Sequence, residues 1–250
     1  MGDFPLWKYG RGEITLVLVH GGPSLSRYMN TLGEILQGNY SIIEYQQYGT
    51  PEVPTEDITL QILLDQLKEV LREAPKNRIL VGHSWGATLI NLYLKEHDEK
   101  AVFFDPAPLS QITADQFGKN LRSRMSDDLR KKLDQIKADS EQTTDPDKIQ
   151  SLMQLRLDFI SPYYHSHLST DQKLGSLEWD YHSFLKIMDE AWELIDQGEL
   201  HAREDIPTLH GADDPIPFLK RAILIPTAGH FPWLEADISK SFAAAVKGLR

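Results

Sequence analysis

A serine, an aspartate and a histidine of this sequence follow one another in an order that suits nucleophilic catalysis. Ser84 lies between two glycines in the stretch Gly82-His83-Ser84-Trp85-Gly86, and Asp214 and His230 follow it in the chain. A serine hydroxyl is a poor nucleophile at neutral pH unless an imidazole accepts its proton, and a carboxylate must hold that imidazole in the right tautomer. We therefore predict that Ser84 attacks a carbonyl carbon, that His230 transfers the proton and that Asp214 orients His230.

The segment around Ser84 has the composition of a nucleophile elbow, the G-x-S-x-G turn between a strand and a helix. Ile79–Val81 is a predicted buried strand, and Trp85–His97 carries apolar residues at helical spacing. Glycine is required on both sides of the serine because the serine backbone is strained and because the strand and the helix approach too closely for Cβ atoms. The alternative interpretation is a glycine-rich turn without a chemical role.

Hydrolysis through a tetrahedral intermediate also needs hydrogen-bond donors for the oxyanion. The N–H of Trp85, directly after the serine, is the first candidate. The N–H of Gly22 is the second, because it lies in the loop His20-Gly21-Gly22-Pro23 that follows a predicted strand and is expected beside the elbow. We predict that Gly22 and Trp85 form the oxyanion hole. A simple strand-ending turn is the alternative for the glycine loop.

The whole chain alternates between predicted strands and helices, except in one long segment. The predicted strands are Leu6–Tyr9, Ile14–Val19, Tyr40–Tyr45, Ile79–Val81, Ala101–Phe104, Ile206–His210 and Ala222–Ile225. Helices are predicted at 57–74, at 85–97 and from Leu234 to Leu249. This alternation predicts an α/β fold with a mostly parallel sheet flanked by helices. Residues 109–203 break the pattern with helix-prone, charge-rich sequence, so we divide the chain into a core at 1–108 and 204–250 and an inserted helical subdomain at 109–203.

The composition narrows the class of protein. The 250 residues include 26 Lys and Arg against 37 Asp and Glu, a net charge of −11 that would repel nucleic-acid phosphates and anionic membrane surfaces. The absence of cysteine excludes disulfides, thiolate metal sites and a cysteine nucleophile. We find neither an apolar run that could span a bilayer nor a leader pattern. We expect a cytoplasmic protein with a small-molecule or short-peptide substrate and no nucleic-acid or membrane partner.

Four motifs, HGGP, GHSWG, GADDPIP and AGHFPWLE, together resemble those of the α/β-hydrolase superfamily. The resemblance implies the α/β-hydrolase fold, with the segment 109–203 as its cap, and a serine hydrolase that uses no metal or organic cofactor. Within the superfamily, HGGP followed by a Ser-Trp-Gly elbow is similar to the proline iminopeptidase group, which removes N-terminal residues from short peptides. Ser24 and His83 stand where that group usually has glycine.

The resemblance also bears on the choice of the acid. Asp214 comes three positions after Gly211, as in the family's G-x-x-D pattern, whereas Asp213 is offset by one. Asp105 is a third candidate, because some relatives carry the acid at the end of the preceding sheet strand. The spacing between Asp214 and His230 is short for the family, which predicts that the helix between the last two strands is reduced or lost.

The inserted segment offers candidates for substrate binding. Glu178, beside Trp179, is a candidate to hold the free amine of a peptide substrate. His165 and His167 are expected at the surface or in the cleft rather than on a metal, since two histidines without carboxylates are a poor ligand set. Six aromatic residues are expected to pack the helices onto the core, with some of them facing the active site: Tyr163, Tyr164, Trp179, Tyr181, Phe184 and Trp192. Segment 138–148 is polar enough to form a mobile loop.

Three functions stay open on the sequence. An aminopeptidase would need an anionic pocket for the ammonium group of its substrate, whereas a carboxylesterase-type hydrolase would have a neutral aromatic pocket. A ligand receptor on a hydrolase fold would keep the triad but turn over slowly. Ser84 argues against haloalkane dehalogenases and epoxide hydrolases, which use an aspartate at that position.

Overall fold

The computed structural model describes residues 3–166 and 177–249. Within these residues the strands are β1 (Leu6–Gly10), β2 (Thr15–Val19), β3 (Ser41–Tyr45), β4 (Arg78–His83), β5 (Ala101–Phe104), β6 (Thr208–Gly211) and β7 (Ile223–Ile225). The helices are α1 (Asn30–Leu36), α2 (Leu60–Glu73), α3 (Trp85–Tyr93), α4 (Gln111–Ser123), α5 (Asp127–Glu141), α6 (Pro146–Ile160), α7 (Tyr181–Asp196), α8 (Pro232–Glu235) and α9 (Ser239–Lys247), with a 3₁₀ turn at Ser161–Tyr164.

The strands form one sheet in the order β1-β3-β2-β4-β5-β6-β7. β1 is antiparallel to β3, and all other neighbouring strands are parallel. Every residue of β2 and β5 is buried, as expected for parallel strands that are covered on both faces. The predicted α/β fold with a mostly parallel sheet is thereby confirmed.

The core lies on both faces of this sheet. Alternate residues of a strand point to opposite faces, so Val17 packs in one apolar cluster and Leu16 in the other. α2, α3 and α7 cover the first face, and α1 and α9 cover the second. α2 shows how the sequence produces such a helix, because the Thr59 side chain accepts the Ile62 N–H at its start and its leucines at helical spacing are buried.

The carboxyl ends of the parallel strands meet at one edge of the sheet, which is where ligands bind in open α/β folds. His20 follows β2, Ser84 follows β4 and Asp105 follows β5. Asp214 comes three residues after the end of β6. Parallel pairing therefore gathers residues that are far apart in the chain into one region.

Two predicted elements are wrong in detail. The helix predicted from Leu234 to Leu249 is two helices, α8 and α9, because the backbone is extended at Ala236 and Asp237 Oδ1 accepts the Ser239 N–H at 2.9 Å. The loop predicted at 138–148 is mostly helical, because α5 continues to Glu141 and the Asp145 carboxylate caps α6. The described chain between β6 and β7 contains no helix, as the short spacing predicted.

The glycine loop after β2 contains a residue whose backbone favours glycine. Ser24 has φ of 74°, and its fully buried Oγ has no hydrogen-bond partner. Both features cost free energy for a residue with a side chain. We expect Ser24→Gly to raise the free energy of unfolding by about 1 kcal/mol, measured by urea denaturation.

Ser26 supplies the matched control for this substitution. Its Oγ is also buried and unpartnered, but its φ is not positive. Ser26→Gly should therefore destabilise the protein through the lost side chain and the greater entropy of the unfolded chain. Equal destabilisation by the two glycine variants would contradict the strain argument at Ser24.

Candidate active site

The turn between β4 and α3 presents Ser84 in a strained conformation. The serine has φ of 52° and ψ of −118° and directly precedes α3. A Cβ at Gly86 would overlap the carbonyl oxygen of Val19, and a Cβ at Gly82 would lie 2.7 Å from the backbone of Ala87. Both glycines are therefore required by close approach of the backbone. Ser84 alone is partly exposed in a run that is otherwise buried from Ile79 to Tyr93, so the turn delivers its hydroxyl to the surface of a cavity.

His230 and Asp214 form a buried hydrogen-bonded pair. His230 Nδ1 lies 2.8 Å from Asp214 Oδ2, so the ring donates Nδ1–H to the carboxylate and leaves Nε2 free to accept a proton. Asp214 Oδ1 accepts the Ile216 N–H at 2.9 Å. Burial by itself opposes ionisation of Asp214, but the adjacent His230 ring holds the pKa of Asp214 below its ordinary value. Asp214 is therefore an ionised acceptor for this histidine.

Asp105 lies close to this pair, with one carboxylate oxygen within 4.8 Å of it, and differs from Asp214 in its protonation. Its carboxyl is fully buried, and Oδ1 accepts the Gly211 N–H at 2.8 Å. Burial, followed by the negative charge of Asp214, raises the pKa of Asp105 well above its ordinary value. Two carboxylates this close cannot both ionise readily, so Asp105 holds the proton and Asp214 carries the charge. The remaining acid candidate, Asp213, makes no side-chain hydrogen bond with any part of the chain described.

The geometry places Ser84 and His230 on the wall of one cavity but not in a hydrogen bond with each other. The cavity has a volume of about 270 Å³ and is also lined by Gly22 and Tyr28. Within residues 3–166 and 177–249, Ser84 Oγ makes no hydrogen bond. The hydroxyl and the imidazole therefore face the same space that a substrate would enter.

Of the two predicted oxyanion donors, Trp85 directly follows Ser84 in the chain and Gly22 lines the same cavity as Ser84. Gly22 has φ of 53° and lines the cavity. Trp85 is the first residue of α3, so its N–H belongs to the donors that a helix leaves without an internal acceptor. Among the residues described, neither N–H donates to another protein group. Both are free to bind a developing negative charge.

His20 anchors the glycine loop to the segment after β3. Its Nε2 accepts the Gln47 N–H at 3.2 Å, and its Nδ1 donates to the Gly21 carbonyl at 3.1 Å. Gln47 Nε2 in turn donates to the His20 carbonyl at 2.8 Å. Burial lowers the pKa of His20 to about 4, so the ring is neutral at neutral pH and both of its nitrogens are satisfied. His20 holds the loop and does not itself titrate near pH 7.

Sequence reasoning missed a hydrogen-bonded chain that joins the three loops of the site. His83 Nε2 donates to the His230 carbonyl at 2.7 Å, and His83 Nδ1 accepts the Tyr28 hydroxyl at 2.5 Å. Tyr28 accepts the Gly21 N–H at 2.6 Å. Burial, followed by the neighbouring His230, lowers the pKa of His83 well below its ordinary value, so the ring is neutral. The unusual His83 in the elbow motif was the available clue, but its partner Tyr28 is 55 positions away.

A second buried contact fixes the backbone beside His230. Glu235 Oε1 lies 2.8 Å from His165 Nδ1, and Glu235 Oε2 accepts the Gly229 N–H at 2.6 Å. Burial opposes ionisation of Glu235, but its hydrogen bond from His165 keeps its pKa below the ordinary value. His165 is therefore buried in a structural contact, which corrects the expectation of a surface or cleft position. His167 lies outside the described residues.

The cavity is lined mostly by apolar and aromatic side chains. Four of the six aromatic residues singled out in the sequence face it: Tyr164, Trp179, Tyr181 and Phe184. Tyr163 packs against the α4–α5 cluster instead. Glu178 is exposed and does not line the cavity. It is therefore not placed to bind the amine of a substrate that occupies this cavity.

In the described parts of the chain, no helix is both long and apolar enough to cross a bilayer.

Comparison with known proteins agrees with the observed fold. The model of the alpha/beta hydrolase family matches residues 16–240. A comparison with curated protein sequences finds no significant match. The structure resembles an alpha/beta hydrolase fold protein from Burkholderia ambifaria at 17% identity and a TM-score of 0.61, covering 97% of this chain and 93% of that one.

Two further solved structures bear names that state an activity. An esterase from a marine microorganism is 16% identical, with a TM-score of 0.51 and 99% of both chains covered. E-2-(Acetamidomethylene)succinate hydrolase is 15% identical, with a TM-score of 0.57, 98% of this chain and 95% of that chain covered. At such identities these likenesses show the fold alone. The family match extends over most of the sequence, and the chain belongs to the α/β-hydrolase family.

Proposed function

We propose that the chain is a serine hydrolase that cleaves an ester or amide bond of a small substrate through an acyl-enzyme. The observation that carries this proposal is that His230, which is hydrogen-bonded to Asp214 at 2.8 Å, lines the same cavity as the strained Ser84. Asp214 fixes the tautomer in which His230 Nε2 is unprotonated and can act as the base. Family membership supports hydrolytic chemistry, and the site supplies the groups.

The first half-reaction forms the acyl-enzyme. His230 Nε2 takes the hydroxyl proton as Ser84 Oγ bonds to the carbonyl carbon, and the carbonyl π electrons move onto its oxygen. The Gly22 and Trp85 N–H groups donate to that oxyanion. Collapse of the intermediate expels the alcohol or amine, which receives the proton from His230.

The second half-reaction releases the acid. Water takes the place of the leaving group, and His230 Nε2 accepts its proton as the oxygen attacks the acyl carbon. Collapse of the second tetrahedral intermediate breaks its bond to Ser84 Oγ, which receives the proton from His230, and frees the carboxylic acid. Asp214 stays ionised throughout and stabilises the imidazolium that forms twice in each cycle.

An ester or similar neutral acyl bond is favoured over the N-terminal amide bond of a peptide. An aminopeptidase must neutralise the ammonium group of its substrate, and no carboxylate among the described residues lines the cavity. The apolar and aromatic wall fits a small acyl substrate. One of the solved structures that this chain resembles is named an esterase.

The test combines covalent labelling with a comparison of substrates. We expect a fluorophosphonate to modify one residue, Ser84, as mapped by mass spectrometry of the digested protein. We expect cleavage of 4-nitrophenyl acetate or butyrate and much slower cleavage of proline 4-nitroanilide.

Three other outcomes would each change the proposal. Faster cleavage of the anilide, abolished when its amine is acetylated, would establish an aminopeptidase. Labelling without turnover of either substrate would favour a ligand receptor on this fold. Absence of labelling in the folded protein would refute Ser84 as the nucleophile.

A further inference from the structure

The cavity beside Ser84 contains an arginine that the proposed reaction does not use. Arg156 lies on α6 and lines the cavity together with Met153, Leu157 and Ile160. These positions are i, i+3, i+4 and i+7, so one face of the helix is turned toward the cavity. An arginine on such a face is not explained by packing, since the other three residues are apolar.

Arg156 has no partner for its charge in the described chain. Its Nε is shielded from solvent and makes no hydrogen bond. The pKa of Asp134 is lowered chiefly by Arg122, which binds it through two hydrogen bonds of 2.8 and 3.0 Å, and to a smaller extent by the charge of Arg156. Asp134 is therefore already paired with another arginine. Arg27 shows the usual arrangement, because its Nε contacts Glu44 at 2.7 Å. A shielded donor without an acceptor is costly, and a bound ligand would satisfy it.

The electrostatic character of the cavity follows from this arginine. Among the described lining residues, Arg156 is the only one with a permanent charge, and none is a carboxylate. The surrounding wall is largely apolar, which lowers the local dielectric and strengthens an ionic contact. The cavity therefore attracts an anionic group and disfavours an ammonium group.

We propose that Arg156 binds a carboxylate of the substrate, so that the scissile bond belongs to a small molecule that also carries a carboxylate. The inference rests on the proposed function. A guanidinium offers coplanar N–H donors that match the two oxygens of a carboxylate, which gives orientation as well as affinity. The scissile carbonyl lies at Ser84 and the carboxylate at Arg156, so the two groups are separate parts of the substrate. Arg156 thus determines specificity and takes no part in bond breaking.

Two matched ester pairs test the proposal. Mono-4-nitrophenyl adipate and its methyl ester place the carboxylate, or its neutral counterpart, on the acyl side. The compounds 3-acetoxybenzoate and methyl 3-acetoxybenzoate place it on the leaving group. We expect wild-type kcat/KM to favour the charged member of at least one pair by about 10- to 100-fold, the range for hydrogen bonds to charged groups.

Variants of α6 assign that preference to one side chain. Arg156→Gln should bring the ratio of the two kcat/KM values close to one, chiefly by raising KM for the charged ester. Arg156→Lys should leave an intermediate ratio, because it keeps the charge and loses the planar fork. Lys148→Gln removes an exposed positive charge from the same helix and should keep the wild-type ratio.

A binding measurement without turnover separates this proposal from the proposed function. Calorimetric titration of the Ser84→Ala variant with adipate should show saturable binding, which is lost when Arg156→Gln is added. Adipate binding with no hydrolysis of any ester by wild type would refute the proposed function and support the role of Arg156. Absence of a charged preference in both wild-type pairs would overturn the role of Arg156, even where neutral esters are cleaved.

The remaining outcomes also decide the proposal. Binding of inorganic phosphate but not of adipate would overturn the carboxylate assignment. If Arg156→Gln does not fold, the wild-type ratios and the Arg156→Lys variant decide it instead. An Arg156→Lys variant with the full wild-type ratios would show that charge alone, without the planar fork, sets the specificity.

Discussion

Replacement of Ser84 by alanine should lower kcat for 4-nitrophenyl ester hydrolysis by about 10⁴- to 10⁶-fold, with little change in KM. The reason is that covalent catalysis is lost entirely, whereas the cavity wall and the oxyanion donors stay in place. The fold should survive, because alanine meets the same backbone strain at φ of 52° and fits the space of the serine side chain. Steady-state kinetics and thermal unfolding of the purified variant measure both effects.

Ser161 is the matched control for this variant. It is the other serine among the described residues that line the cavity, and its Oγ bonds only to the Asp158 carbonyl at 3.4 Å. Ser161→Ala should change kcat by less than about tenfold, because its hydroxyl has no imidazole to accept its proton. The reverse pattern, with activity lost at Ser161 and kept in Ser84→Ala, would refute the proposed nucleophile.

Replacement of Asp214 by asparagine should lower kcat by about 10⁴-fold. The amide would donate a hydrogen bond toward His230 Nδ1 or leave it unpaired, so the ring would adopt the tautomer in which Nε2 is protonated and cannot accept the Ser84 proton. Addition of Asp105→Asn and Asp213→Asn as separate variants completes the measurement. Each should retain kcat within about tenfold, since Asp105 is already protonated and Asp213 does not contact the histidine.

Two of the aspartate variants, Asp105→Asn and Asp214→Asn, should also differ in how their stability depends on pH. The raised pKa of Asp105 in the folded protein means that wild type loses stability as pH rises from the ordinary aspartate value toward the raised one. Asparagine resembles the protonated acid and carries no such penalty. Asp105→Asn should therefore gain stability over wild type as pH increases above about 4, measured by urea denaturation at several pH values.

The stability that Asp214 contributes should depend on pH in the opposite direction. Because its pKa is lowered in the folded protein, ionised Asp214 stabilises the fold at pH values above the ordinary aspartate pKa. This contribution to the free energy of unfolding is lost as the pH falls through the lowered pKa. Asp214→Asn should thus be most destabilising near neutral pH. Loss of activity in Asp105→Asn with retention in Asp214→Asn would instead identify Asp105 as the catalytic acid.

The buried chain of Tyr28, His83 and the His230 carbonyl fixes the relative positions of the loops that form the site. It links the glycine loop, the elbow and the histidine loop by hydrogen bonds that are all satisfied. Such satisfied networks specify one arrangement of a core, because any broken member leaves a buried polar group unpaired. In this chain the network connects Gly21 in the glycine loop to the backbone of His230.

The sequence by itself determined the features that depend on local backbone geometry. Ser84 could be predicted as the central residue of the elbow because a strand, two glycines and a helix must follow one another for the turn to form, and Gly22 and Trp85 could be proposed from the same local rules. The fold class was also predictable, because the alternation of short buried strands with amphipathic helices imposes a parallel sheet. Parallel pairing then dictates that residues after successive strands meet at one edge.

Only the tertiary structure decided the choices that depend on distance between remote residues. Asp105 and Asp214 both follow strands that pair with each other, and both carboxyl groups are buried, so only the hydrogen bond between Asp214 and His230 separates the ionised acid from the protonated one. Whether Arg156 faces solvent or the cavity depends on how α6 packs, which residue spacing within one helix does not specify. The physical reason is the same in both cases: local spacing sets backbone conformation, whereas packing between elements sets which side chains share a dry environment.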